Sequence, residues 1–397
     1  MTPLFYDTAY RLKSEWDKLL DSSAAGVQVE IEMHEWTMKL TLDTVGRAIF
    51  GHDFHTLEGN NFTIEEALRI FNTTTPSKLG MLAYVASIFV PWVGNLPTKR
   101  NRLFKNLSDS ARLILDGMLH EKEREKDNSV RVEKGQKSEK SLIEFLIDAE
   151  TNSSGLLSAE RKEEIVTQMK AILIAGSDPP GLIIVWSLIE LARHPEIQAR
   201  IRAEINSSHG VELDWNRLQS SCPFLDAFIS EVLRLRPSVG ETPRVTNEDD
   251  ILLLKEPIKD ASGRLTEKIY LPKGTKVIVP NHFLNVDPEI WGPDAAVFNP
   301  DRWLNDPLMK LEKSVDDSSA SAKGRLWTFG EGPRVCVGKA FAMTQLKIVL
   351  AILLHEFSFD LPEGRETLID LHYSLVARPK VRGRAGANIP LLVSRAR

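Results

Sequence analysis

Apolar residues return every three to four positions through most of the first two thirds of the chain, the spacing that builds one face of an α-helix. Leu12, Trp16, Leu19 and Leu20 mark a first amphipathic helix, and Met33 to Phe50 and Ile64 to Phe71 predict two more. A long helix is predicted from Arg100 to Lys126, with Leu103, Leu107, Ala111, Ile114, Leu115 and Met118 on one face. It ends in the charged run EKEREKDN, which reads as a solvated helix end followed by a loop through Lys140. Ser158 carries an N-capping side chain, Glu160, Glu163 and Glu164 suit the positive end of the next helix, and an apolar face follows through Ile174. The pattern resumes from Leu182 to Leu191 and again from Glu196 to Ile205, after His194-Pro195. Strand signals are few and late: Ile251 to Leu254, Lys268 to Leu271, Lys276 to Val279 and the tail around Leu391. The pattern predicts a mainly α protein with a small β portion, and no repeat of fixed period breaks it up.

Composition narrows the function classes. The 397 residues are 42% apolar and 26% charged, which is globular and argues against disorder, collagen or coiled coil. Fifty basic against 55 acidic residues leave a net charge of -5, so there is no global positive field and no nucleic-acid partner is expected. Two cysteines, Cys222 and Cys336, are too few to staple a chain of this size, and with no signal peptide at Met1 a reducing compartment is expected. No apolar run reaches the ~18 residues of a spanning helix. The nearest is Gly80 to Val93, GMLAYVASIFVPWV, cut short at Pro91. It reads either as a buried segment or as a loop dipping into a membrane interface, where Tyr84 and Trp92 would be suited; peripheral membrane contact is the sharper expectation.

The densest chemistry lies in FGEGPRVCVG, Phe329 to Gly338. A lone cysteine is most often a small buried hydrophobe. Here Gly330, Gly332 and Gly338 permit tight turns, Arg334 offers an anion clamp two residues before the sulfur, and an apolar helix follows from Ala340 to Leu354. A thiolate at a helix N-terminus gains from free N–H groups and the helix dipole, as a metal-ligating sulfur requires. The glycines also suggest a phosphate loop, but G-x-G-x-x-G fails at Val335 and no Gly-Lys-Ser/Thr follows. Upstream, Glu231 and Arg234 in SEVLRLRP stand i,i+3 on one helix face, by itself an ordinary ion pair worth a few tenths of a kcal/mol.

The cysteine loop matches every fixed position of F-x-x-G-x-R-x-C-x-G and so resembles the haem-binding signature of the cytochrome P-450 family. The other motifs fall in the family's order: LARHPEIQARIRAEI, E-x-x-R at Glu231 and Arg234, PRVT at Pro243 to Thr246, and the meander-like WGPDAAVFNPDRW containing Arg302. LPTKRNRLF and ILLLKEP look most like fungal microsomal members. The resemblance implies that residues 1–397 form one catalytic domain of the mainly α cytochrome P-450 fold, lacking its N-terminal part: PLFYDTAYRLKSEWDKLL resembles a helix well inside the family's sequence. It implies that the Cys336 thiolate is the axial ligand of haem b iron, that Phe329 packs near the sulfur, and that Arg334 and Arg244 hold the propionates. It implies a structural network of Glu231, Arg234 and Arg302 beneath the haem, and substrate contacts around Ile174, Val239, Gly240 and Leu375.

The implied activity is insertion of one oxygen atom of dioxygen into a small lipophilic substrate, with NADPH electrons arriving through a reductase, on the cytosolic face of the endoplasmic reticulum if a membrane anchor precedes Met1. One departure bears on it. The oxygen-binding helix of the family reads A/G-G-x-D/E-T-T/S, whereas this chain reads AGSDPP, Ala175 to Pro180. Asp178 keeps the acid of the proton relay; the hydroxyl position is Pro179, and Ser177 or Thr242 are the nearest replacements by sequence. Two further readings stay open: a haem enzyme that does not activate dioxygen, acting as a peroxygenase or on an already oxidised substrate, and a non-catalytic fragment.

Overall fold

The structure is a computed structural model that describes residues 1–23, 27–59, 99–128, 141–150, 158–207, 213–305, 326–373 and 376–396. In chain order its principal helices are α1 (Thr2–Asp21), α2 (Met33–Val45), α3 (Lys99–Asn128), α4 (Leu142–Glu150), α5 (Ala159–Arg193), α6 (Pro195–Asn206), α7 (Trp215–Ser221) and α8 (Pro223–Leu235). Three short helices follow, α9 (Asn281–Asn285), α10 (Pro288–Trp291) and α11 (Asp301–Asn305), and then α12 (Lys339–Glu356). The strands are β1 (Val29–Glu32), β2 (Thr242–Val245), β3 (Asp250–Lys259), β4 (Leu265–Leu271), β5 (Lys276–Val279), β6 (Phe357–Asp360), β7 (Ile369–Tyr373), β8 (Ala377–Val381) and β9 (Pro390–Arg395). The expected helices at 64–71 and the apolar stretch at 80–93 lie outside the described residues. The described chain falls into two compact units, Met1–Val232 with Val337–Arg397, and Leu233–Cys336.

The first unit holds the long helices. Leu12 and Trp16 of α1 are fully buried, and Trp16 packs on Phe357 and Phe359 of β6 with ring centroids 5.6 and 6.2 Å away. Leu107, Ala111, Ile114 and Leu115 of α3 join Ile165, Val166, Met169 and Leu173 of α5 in one core, as the helical spacing anticipates. Ser158 caps α5 by accepting from Arg161 N at 3.2 Å.

The helix α5 departs from the expected pair of segments: it runs unbroken for 35 residues through Pro179 and Pro180. Proline lacks an N–H, so the carbonyls of Ala175 and Gly176 lose their i+4 donors, at a cost of ~3 kcal/mol per interior proline relative to alanine. Tertiary packing offsets this. A Cβ at Gly176 would lie 2.8 Å from Val45 Cγ2, and one at Gly181 3.4 Å from Thr41 Oγ1, so the two glycines seat α5 directly on α2. By length and hydropathy α5 contains a window able to cross a membrane, but 72% of that window is buried within the fold, which marks a core helix.

The expected strand around Leu391 is β9, whereas its partners β1 and β6 and the pair β7 and β8 escaped the periodicity. β1, β9 and β6 form an antiparallel sheet in which Val29 and Phe359 both pair with Val393. β7 and β8 form a hairpin that places His372 opposite Arg378. The second unit has two antiparallel ribbons, β2 with β5, where Arg244 faces Val277, and β3 with β4.

Candidate functional site

The cysteine loop is folded by its own backbone. Cys336 N donates to Phe329 O at 2.8 Å, Gly330 N to Trp327 O at 2.9 Å and Val335 N to Gly332 O at 3.0 Å. These bonds bend the chain through two short 3-10 turns, Trp327–Phe329 and Gly332–Arg334. Gly330 sits at φ 68° and ψ -176°, a region open in practice only to glycine, and Gly332 sits at φ +71° with nothing within 4 Å of where a Cβ would point. Gly338 is different: at φ -86° it is the N-cap residue of α12, and its carbonyl accepts from Ala342 N at 2.8 Å.

The entry to this loop is pinned by a residue the sequence did not single out. Asn285, fully buried on α9, accepts from Trp327 N through Oδ1 and donates through Nδ2 to Thr328 Oγ1, both at 2.9 Å. Thr328 Oγ1 in turn donates to Leu233 O at 2.6 Å. In one sequence, Asn285 in HFLNVDP carries only a turn signal; its burial depends on partners over 40 positions away.

Arg234 and Arg302 converge on one stretch of backbone. Arg234 is fully buried and its guanidinium donates to Asn285 O at 2.8 Å, to Ala295 O, and to Val297 O at 3.3 Å. Arg302 donates to Trp291 O at 3.1 Å and Asp294 O at 3.0 Å, and it forks onto the Asp294 carboxylate at 2.9 and 3.0 Å. The Arg302 guanidinium holds the Asp294 carboxyl below the usual carboxylate range. Glu231 is fully buried one turn before Arg234 on α8. Asp294 is thus a partner of Arg302 that the expected trio left out, and both arginines fix segment 291–297 through its carbonyls.

Of the residues expected to touch a cofactor, the Cys336 thiol is free and exposed, Phe329 is half-buried, and Arg334 is exposed. Arg244 is exposed on β2, where its Nη1 donates to Pro243 O at 2.9 Å. Val335 beside the sulfur is 43% exposed. A free thiol, uncovered apolar surface and unburied guanidinium groups in one unit fit haem, whose iron takes a thiolate, whose ring is apolar and whose propionates are anionic. Cys222 fits no such role: it is buried, and burial followed by the nearby Glu204 pushes its thiol up. In haem-free protein, iodoacetamide is therefore expected to alkylate Cys336 at least about tenfold faster than Cys222, and haem to protect Cys336. Equal labelling of the two under native conditions would contradict this arrangement.

The candidates on α5 divide by face. Residues four apart share a helix face. Ala175 is exposed and Pro179 half-buried, whereas Ser177 shares its face with Gly181, which abuts α2. Ser177 is fully buried and its hydroxyl has no hydrogen-bond partner, so it does not stand in for a hydroxyl on the Pro179 face. Asp178 is buried too, and Arg378 Nη2 of β8 donates to its Oδ1. Ile174 is half-buried; Val239 and Gly240 are exposed in a loop held by Asn281, which donates to Val239 O at 3.2 Å and to Thr242 Oγ1 at 2.7 Å. Leu375 lies outside the described residues.

Comparison with known proteins shows the family to which the chain belongs. The profile of the family described as Cytochrome P-450 matches residues 1–384. The chain is 35% identical over 395 residues to Cytochrome P-450 monooxygenase claW of Ampulloclitocybe clavipes, covering 100% of this chain and 72% of that protein. It is 35% identical over 398 residues to monooxygenase claP of the same fungus, with the same coverage. Cytochrome P-450 monooxygenase 91 of Postia placenta is 30% identical over 380 residues, 91% of this chain and 67% of its own length.

Proposed function

The chain belongs to the cytochrome P-450 family and is a haem-thiolate monooxygenase, and we propose that it inserts one atom of dioxygen into a small lipophilic substrate with electrons passed from NADPH by a reductase. The observation that carries the proposal is the exposed Cys336 thiol at the end of a glycine-bent loop pinned by Asn285. In this reading Cys336 ligates the iron of haem b, Arg334 and Arg244 neutralise its propionates, and Phe329 covers the sulfur. Bound there, haem supplies the iron centre for dioxygen chemistry, and electron donation by the thiolate favours O–O cleavage. The chain's own residues do the rest. Arg234, Arg302 and Asn285 keep the loop and its supports in register, so that the thiol is presented without reorganisation on binding. By family position Val239 and Gly240 in one unit and Ile174 in the other are proposed to meet substrate, and Asp178 is proposed as the acid of a proton relay. Electron delivery is proposed to take place at the cytosolic face of the endoplasmic reticulum if a membrane anchor precedes Met1, and otherwise in the cytoplasm or at a membrane surface.

A second reading is favoured by one observation: the Ala175–Pro179 face of α5 carries no hydroxyl. Under that reading the haem acts on peroxide or on an already oxidised substrate. Isotope-labelled dioxygen separates the two. With NADPH, a microsomal reductase and lipophilic aromatic probes, the monooxygenase places one labelled atom in product and the other in water. Label that enters product only from hydrogen peroxide, with NADPH and dioxygen inert, would replace the first reading by the second.

A further inference from the structure

The strongest unassigned feature is the ion pair between Asp178 and Arg378. Its partners stand 200 residues apart in sequence and are 3% and 4% exposed, respectively, on side-chain area. A buried guanidinium is costly unless its charge is met, so a pair this deep is either functional or a fixed part of the fold. Its surroundings hold the arginine in place. His372 stands opposite it across the β7–β8 hairpin, and His34, at the start of α2, binds the next residue: Nε2 lies 2.9 Å from Pro379 O. Burial and then the charge of Arg378 push the His34 imidazole down to about 3, so the ring is neutral, Nε2 carries the proton, and it donates to that carbonyl. Asp178 is thus the only counter-charge hydrogen-bonded to Arg378 among the described residues.

We propose that Arg378 is a positioning residue: by gripping Asp178 Oδ1 it fixes the rotamer of the acid that directly precedes Pro179 and Pro180, and so sets where that acid can exchange a proton. The argument is geometric. Asp178 lies one residue from Pro179, about 100° around the helix axis from the open face, and its chain has two torsions with which to turn. A guanidinium on Oδ1 removes that freedom and leaves Oδ2 as the oxygen from which a proton can be passed on. The strand carrying Arg378 is tied to α2 through the His34–Pro379 hydrogen bond and the guanidinium is buried, so the grip is not made by a surface side chain. The proposal rests on the monooxygenase reading for its consequence, but the pair itself does not.

Four variants test it: Arg378→Met, Arg378→Lys, Asp178→Asn and the double variant Arg378→Met with Asp178→Asn. Thermal unfolding of haem-free and haem-loaded protein should show each single neutralisation lowering Tm by roughly 5 °C or more, with at least half of that recovered in the double variant. During NADPH oxidation through a microsomal reductase, dioxygen takes two electrons and two protons to give peroxide, or four of each to give two waters. Peroxide released and dioxygen consumed are measured together without added substrate. Arg378→Met should cut the share of dioxygen reduced to water threefold or more, Arg378→Lys should keep it within twofold of the parent, and the double variant should stay low although its Tm returns. That last split separates positioning from folding. Additive Tm losses would overturn the pair, and an unchanged water share in Arg378→Met, or its return with stability in the double variant, would overturn the positioning role. A parent protein whose reduced, CO-bound form lacks the thiolate band would refute the monooxygenase reading and the relay role with it, while the thermal cycle still decides whether the pair exists.

Discussion

Replacing Cys336 with serine is expected to abolish the red-shifted Soret band of reduced, CO-bound protein and to bring dioxygen-dependent product to background, while Cys222→Ser leaves both intact. The asymmetry follows from the two environments. Cys222 is buried between α7 and α8, and desolvation raises its thiol, so it behaves as a small apolar side chain. Cys336 is exposed at the end of a loop whose bend depends on Gly330 and Gly332 at positive φ and on the Cys336 N to Phe329 O bond. Serine preserves that backbone bond and the side-chain volume within one atom, so the variant should fold. It removes the soft, electron-donating sulfur on which the spectrum depends. Far-UV circular dichroism checks folding alongside the CO spectrum. Loss of the band in Cys222→Ser with its retention in Cys336→Ser would reverse the assignment.

Much of this site was legible because it is local. The cysteine loop is a ten-residue pattern in which glycine, arginine and cysteine each have a backbone or charge reason for their place, and the structure gives Gly330 and Gly332 the left-handed conformations that only glycine adopts freely. The helices were legible for the same reason: apolar spacing is read within a window of a few turns, and Ser158 caps where its side chain suggests. What escaped was non-local. β6, β7 and β8 are short and gain their identity from partners such as β9, so no run of alternation announces them. Asn285, Asp294 and Arg378 are polar residues whose burial is justified only by groups tens to hundreds of positions away. The unbroken α5 shows the limit of propensity: apolar periodicity gave two segments on either side of the prolines, and close packing of Gly176 and Gly181 on α2 keeps the helix continuous.

Those prolines carry the second large effect. Pro179→Thr is expected to raise the product formed per NADPH about tenfold, less than the ~10²–10⁴-fold of a full general acid–base contribution because water partly substitutes for the missing hydroxyl. Pro179 is half-buried on the same face as the exposed Ala175, and neither offers a proton donor. Ser177 faces the α2 side, and the Asp178 carboxylate is bound to Arg378. On the proposed relay role of Asp178, protons would meet no side-chain hydroxyl on the Ala175–Pro179 face, and release of hydrogen peroxide is expected to compete with product formation. Threonine at 179 supplies that hydroxyl and also returns an N–H to the Ala175 carbonyl, so the helix should gain stability as well. The two gains are separated by Pro179→Ala, which restores the N–H alone: it should raise Tm like threonine and leave the product share where the parent has it. NADPH consumed, peroxide released and product formed are measured together on protein with full haem occupancy, so that weak cofactor retention does not imitate uncoupling. If the parent already turns nearly all of its NADPH into product, or if alanine improves coupling as much as threonine, the missing hydroxyl is not what limits this enzyme.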